Sequence, residues 1–157
     1  MSDEYYQTLR GKLDARAARV GVIGLGYVGL PLAVEFARAG FVTTGIDLDV
    51  RKIDAVNQGT SYIPDVPTAE VARLVADRKL RATSDFSCVA ELDTINICVP
   101  TPLRKTKDPD MSYIVSAVEN WSSSCARSSA GRMIIVGCSE GSWRTAQPSK
   151  YASFPCS

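Results

Sequence analysis

The chain has 157 residues, with 18 Lys plus Arg against 17 Asp plus Glu, no histidine, and 45% hydrophobic residues. That length supports one ordinary domain, and a net charge of +1 gives no nucleic-acid or membrane footprint. The absence of histidine excludes Ser-His-Asp and Cys-His chemistry within the chain, leaving Asp, Glu, Lys, Tyr or a thiolate as any general base.

Residues 4–18, with Tyr5, Tyr6, Leu9 and Leu13 among Lys and Arg, read as a short amphipathic helix or arm. The apolar run Val20 to Ile23 reads as a strand, and it feeds directly into Gly24-Leu-Gly26-Tyr-Val-Gly29. An apolar helical pattern follows at once through Val28, Leu30, Leu32, Ala33, Phe36 and Ala37. Strand, G-x-G-x-x-G turn and helix form the context that a dinucleotide-binding fingerprint requires. Gly24 is expected to turn the chain off the strand, Gly26 to admit a pyrophosphate, and Gly29 to bring helix and strand close. The helix N-terminus then offers free N–H groups to phosphate.

Gly40 is expected to stop this helix. Residues 41–46 read as a second strand rich in β-branched residues, and Asp47 follows it. A carboxylate about 20 residues after the glycines accepts the hydroxyls of an adenosine ribose and repels a 2′-phosphate. NAD is therefore expected over NADP, with Arg51 and Lys52 close behind as a small counterweight. A second helix is expected from Asp49 to Asn57, and Tyr62 to Pro67 reads as a proline-punctuated loop. Thr68 is expected to cap a third helix with Val71, Leu74 and Val75 inward. A short strand over 80–83, a turn or short helix over 85–90 and a buried strand over 94–99 come next. Beyond Pro100-Thr101-Pro102 and a basic loop, a helix is expected through Tyr113, Ile114, Ala117 and Val118.

This alternation predicts an α/β fold, a Rossmann-type doubly wound parallel sheet, incomplete at its C-terminal end. Gly24–Gly29, Asp47 and Thr101 all follow strand ends, so they should meet on one edge of the sheet, where ligands bind in such folds. No apolar run approaches the about 18–20 residues needed to span a bilayer, and Met1 to Arg19 holds no signal-peptide core, so cytoplasmic residence is expected. The five cysteines, Cys88, Cys98, Cys125, Cys138 and Cys156, form no C-x-x-C pair; free thiols are expected, no metal site is, and Cys98 reads as a buried small hydrophobe.

With these motifs in place, the chain resembles the UDP-glucose/GDP-mannose dehydrogenase family of nucleotide-sugar dehydrogenases. The matching text is Val22-Ile-Gly-Leu-Gly-Tyr-Val-Gly-Leu-Pro-Leu-Ala33, Gly45-Ile-Asp47-Leu-Asp-Val-Arg-Lys52, Asn57-Gln-Gly59, Ile97-Cys-Val-Pro-Thr-Pro102 and Pro109-Asp-Met-Ser-Tyr113. The stretch after Leu103 looks most like the branch acting on UDP-N-acetylhexosamines. The resemblance implies oxidation of the C6 alcohol of a nucleotide sugar to a carboxylate, in two hydride transfers to NAD through a cysteine thioester. It implies that Gly24, Gly26, Tyr27, Val28 and Gly29 cradle the pyrophosphate. Asp47 would hold the ribose with Lys52 beside it, and Thr101 would contact the nicotinamide side. Partners implied are NAD, a nucleotide sugar in a full-length protein, and a homo-oligomer, with no nucleic acid and no membrane. No catalytic residue of the family matches a position in this chain. Rival readings are another NAD-dependent dehydrogenase, such as a 3-hydroxyacid type, and a stand-alone non-catalytic NAD-binding module.

The family pattern stops near Glu119–Asn120. Residues 121–157 contain no leucine, both tryptophans, three of the five cysteines, and one carboxylate, Glu140, against four Lys or Arg. The expected organisation is an arm over 1–18, an NAD-binding domain over 19–120 and an atypical tail over 121–157. The tail reads as out of frame or as an aberrant end, although Arg132 to Val136 suits a strand. A chain truncated before the catalytic domain is expected to be inactive alone.

Overall fold

In a computed structural model, which describes residues 3–99 and 133–136, β1 (Arg19–Ile23) is the central strand of a five-stranded parallel sheet. The strand order is β3-β2-β1-β4-β5, with β2 over Val42–Ile46, β3 over Leu80–Thr83, β4 over Thr94–Ile97 and β5 over Met133–Val136. Register is set by pairs such as Ile23 with Ile46 on one side of β1 and Ile23 with Ile97 on the other. The chain thus runs outward to β3, then returns to β1 and places β4 on its far side. That reversal is the doubly wound arrangement, and it opens a crevice at the carboxyl ends of β1 and β4.

Helix α1 (Asp3–Asp14) precedes the sheet, and the Leu9 side chain is buried there. Helix α2 (Gly29–Arg38) connects β1 to β2, and α3 (Val50–Asn57) and α4 (Thr68–Ala76) together connect β2 to β3. These three helices cover one sheet face. Leu30, Ala33 and Val34 of α2 meet Ile53 and Val56 of α3, Val71 and Leu74 of α4, and Val22 of β1 in one buried cluster. Leu30, with no exposed surface, is worth roughly 1.5–3 kcal/mol of burial. On the opposite face Ile23, Ile46, Ile95 and Ile97 pack beneath Val89 and Leu92, which a 3₁₀ helix (Phe86–Glu91) and its exit carry.

Asn57 closes the outer edge of β3. Its side-chain Nδ2 donates to the Ala82 carbonyl at 3.0 Å and its Oδ1 accepts from the Ala82 N–H at 2.9 Å. One amide thereby supplies the two hydrogen bonds that a further strand would make, which leaves less unpaired edge. This gives Asn57 of the Asn57-Gln-Gly59 text a structural reason.

The strands expected over 41–46 and 80–83 form within one residue of those bounds, and the strand expected over 94–99 ends as regular structure at Ile97. Gly40 follows α2 at φ +99°, as a helix stop requires. Asp49 sits just outside α3 as its cap, accepting from the Arg51 N–H at 3.1 Å, so the helix proper begins at Val50. Thr68 is a correction: it is the first residue of α4, Pro67 precedes it as the cap position, and no side chain caps that end. The Thr68 hydroxyl instead accepts from the Ser61 N–H at 3.2 Å, so it is spent on the preceding loop. The strand suited to 132–136 forms as β5, parallel to β4, with Ile95 opposite Ile134. Thr101 and the helix expected through Tyr113 to Val118 lie outside the described residues, as do Cys125, Cys138 and Cys156.

Candidate functional site

At the carboxyl end of β1 the backbone turns through Gly24 at φ +90°, a conformation that L side chains rarely adopt. A Cβ there would also meet the Cys98 carbonyl oxygen at 2.7 Å, because Cys98 N–H donates to Ile23 at 2.7 Å and holds β4 against the turn. Gly29 is more tightly constrained: a Cβ there would lie 1.7 Å from the Gly24 carbonyl oxygen and 3.3 Å from the Cys98 Cβ. The first turn of α2 is thereby pressed onto the strand end. Gly26 is the opposite case. A Cβ there would meet nothing within 4 Å among the described residues, so the middle of the turn is open on their side.

Helix α2 starts with no side-chain cap; Val28 occupies the cap position. Among the described residues, the N–H groups of Gly26, Tyr27, Val28 and Gly29 have no acceptor. Four donors at a helix N-terminus, beside open space and a positive dipole end, form an anion cradle.

Asp47, one residue past β2, closes the other side of the turn. Its side chain is 11% exposed. Oδ2 accepts from the Leu25 N–H at 2.7 Å and from Lys52 Nζ at 3.2 Å, and Oδ1 accepts from the Asp49 N–H at 2.9 Å. A carboxylate has about four lone-pair sites, so Asp47 keeps capacity for a hydroxyl donor. The two nearby cations are both committed. Lys52 pairs with Asp47, and the Arg51 guanidinium lies on Asp49 at 3.1 and 3.0 Å. The Arg51 hydrogen bond holds the Asp49 carboxyl below its ordinary range. The counterweight toward a 2′-phosphate that Arg51 and Lys52 offer in sequence is therefore neutralised locally.

Two tyrosines join the segment between α3 and α4 to this turn. Tyr27, 65% exposed, donates its hydroxyl to Asp65 Oδ2 at 2.7 Å, and that bond raises its pKa. Tyr62, half-buried against the core, donates to the Leu25 carbonyl at 2.6 Å. Burial, then the charges of Asp47 and Asp49, push the Tyr62 hydroxyl well above its ordinary range, so it stays a donor. Ile63 and Val66 anchor the segment in the core. Sequence reasoning missed Tyr62 and Asp65, whose partners lie 37 and 38 residues away. The only local sign was the Tyr-Ile-Pro-Asp-Val-Pro punctuation.

The structure thus brings together Gly24, Gly26, Tyr27, Val28, Gly29, Asp47 and Lys52. The backbone continues from β4 to Val99 on the same edge, two residues short of Thr101. Cys98 is buried, and desolvation pushes its thiol to about 11, the behaviour of a packed hydrophobe. Among the described residues, no three His, Cys, Asp or Glu side chains are grouped to hold a metal, and no helix is long and apolar enough to cross a membrane. A row of anion-facing donors beside a partly satisfied carboxylate can take a ligand that carries both phosphate and hydroxyl groups.

Comparison with known proteins places the chain in a family. Residues 18–148 match the NAD binding domain of the UDP-glucose/GDP-mannose dehydrogenase family. The UDP-N-acetyl-D-mannosamine dehydrogenase of Salmonella typhi is 35% identical over 102 residues, covering 64% of this chain and 24% of that protein. The NDP-N-acetyl-D-galactosaminuronic acid dehydrogenase of Ralstonia nicotianae is 36% identical over 107 residues, covering 67% and 24%. Among solved structures, GDP-mannose dehydrogenase from Pseudomonas aeruginosa superposes with a TM-score of 0.71 at 31% identity, over 76% of this chain and 28% of that one. The chain therefore spans about a quarter of the length of the relatives it matches.

Proposed function

We propose a function from one premise: the chain belongs to the UDP-glucose/GDP-mannose dehydrogenase family and carries its NAD-binding domain. In this reading the chain is the cofactor half of a nucleotide-sugar 6-dehydrogenase. Bound NAD supplies the hydride acceptor for oxidation of a C6 alcohol. The residues of this chain bind and orient it. The N–H groups of Gly26 to Gly29 hold the pyrophosphate, Asp47 accepts an adenosine ribose hydroxyl, and Lys52 steadies Asp47. Thr101 contacts the nicotinamide side.

The observation that carries this reading is the pairing of an open Gly26 and uncapped α2 with a carboxylate already bonded to the Leu25 N–H. The substrate class proposed is a UDP-N-acetylhexosamine, supported by relatives named for UDP-N-acetyl-D-mannosamine. The match covers about a quarter of these relatives, and the part of the reaction proposed for these residues is holding NAD. Homo-oligomeric assembly is what the resemblance implies for the family, and cytoplasmic residence is the default expected from the sequence. We extend the domain past residue 120 through Val136; β5 in register with β4 and a family match reaching residue 148 support that.

Isothermal titration of the 157-residue chain tests the central claim. NAD is expected to bind, NADP to bind at least about tenfold more weakly, and Asp47→Ala to weaken NAD. Unchanged NAD affinity in Asp47→Ala would remove the ribose role.

A further inference from the structure

We propose that Tyr62 is a positioning residue for the pyrophosphate: by holding the Leu25 carbonyl it aims the Gly26 N–H at the bound diphosphate. The inference rests on the NAD-binding reading and adds a residue from outside the glycine turn.

The Leu25 residue is held at both of its polar groups. Its N–H donates to Asp47 Oδ2 at 2.7 Å, and its carbonyl accepts from the Tyr62 hydroxyl at 2.6 Å. The carbonyl belongs to the Leu25–Gly26 peptide, and the N–H of that same peptide is the Gly26 donor. A trans peptide is planar, so its N–H points opposite to its C=O. Pinning the carbonyl toward the segment between α3 and α4 therefore turns the Gly26 N–H away from it, at a residue that fronts open space. A free glycine peptide has the widest choice of orientations, so a fixed carbonyl removes most of that freedom before ligand arrives.

The anchor is itself rigid. Tyr62 lies against the core, and Ile63 and Val66 beside it are buried. Tyr27 joins Asp65 at 2.7 Å, tying the same segment to the turn a second time. The Leu25 carbonyl also becomes a stronger acceptor for the Tyr62 hydroxyl as that peptide polarises against an anion at Gly26.

The test uses the 157-residue chain, NAD by calorimetry, and ADP and adenosine by ligand-detected NMR. Tyr62→Phe keeps the ring and removes the bond. It is expected to raise the Kd for NAD and ADP about tenfold, while the adenosine Kd stays within about twofold because adenosine carries no phosphate. Unchanged ADP affinity, or equal weakening of ADP and adenosine, would overturn the proposal, the second outcome marking a general loss of packing. A measurement on the wild-type chain covers the case of a variant that does not fold. The Gly26 amide resonance is expected to move on addition of ADP and to stay put with adenosine; no movement with ADP overturns the proposal. Failure of the wild-type chain to bind either NAD or ADP would instead overturn the NAD-binding reading itself.

Discussion

Both ends of β1 carry the same small device, and only one of them lies in the proposed cofactor site. At the carboxyl end Asp47 accepts the Leu25 N–H at 2.7 Å and pairs with Lys52 at 3.2 Å. At the amino end Asp93 accepts the Arg19 N–H at 2.9 Å and pairs with Lys12 at 2.5 Å. A carboxylate, a lysine and a flanking backbone N–H therefore do not by themselves indicate ligand binding. What differs is the surrounding backbone. Beside Asp47 lie an open Gly26 and four helix-terminal donors with no acceptor among the described residues. Beside Asp93 the Arg19 side chain meets Glu91 at 3.0 Å, and the Lys12 pair ties α1 to the sheet. The proposed site is the end where, among the described residues, backbone donors lack an acceptor.

The comparison breaks hardest at Gly29. A Cβ 1.7 Å from the Gly24 carbonyl cannot be absorbed by a side-chain shift, because the obstacle is backbone. Gly29→Ala is expected to lower stability by about 3 kcal/mol or more and to abolish NAD binding, read by urea denaturation and calorimetry. Gly26→Val sharpens it. Among the described residues nothing lies within 4 Å of that Cβ, so stability should change by no more than about 0.5–1 kcal/mol, while NAD affinity falls about a hundredfold.

Exchanging the two carboxylates in turn tests the device directly. Asp47→Ala is expected to weaken NAD binding about tenfold. Asp93→Ala is expected to leave NAD affinity unchanged and to cost about 1–2 kcal/mol of stability through the lost Arg19 bond. Equal effects of the two variants on NAD would mean that the ends of β1 are not distinguished as argued.

The smallest expected effect is a pH dependence at Cys98. Its folded pKa, raised by burial to about 11, exceeds the value in the unfolded chain. Between the ordinary thiol range and about 11 the folded state holds a proton that the unfolded state releases, so stability falls as pH rises through that window. Cys98→Ala is expected to flatten this slope in thermal unfolding from pH 8 to 10.5. A slope unchanged in the variant would assign the dependence to other groups.

Much of the site was legible because it is local. Gly24 to Gly29 and Asp47 fall within one strand–helix–strand unit, and each residue type answers a need stated by the backbone: a positive φ, a close approach, an acceptor at a strand end. Lys52 and Arg51 were visible as charges, but not their assignments to Asp47 and Asp49. Asn57 stood in a quoted motif without a reason until Ala82, 25 residues on, supplied its two partners. The Thr68 expectation failed nearer by, since its hydroxyl had a competing donor in Ser61, seven residues back.

By itself the sequence determined the α/β class and the positions of the glycine turn and of the carboxylate that follows β2. Periodicity, glycine spacing and strand ends are properties of contiguous residues, and they report on backbone conformation directly. Tertiary structure alone decided which of the two lysine-paired aspartates borders free donors, and that Tyr62 holds the Leu25 carbonyl. Both depend on groups 22 to 74 residues apart meeting at the two ends of one strand, and no local pattern encodes which polar atoms are left unsatisfied after the chain has packed.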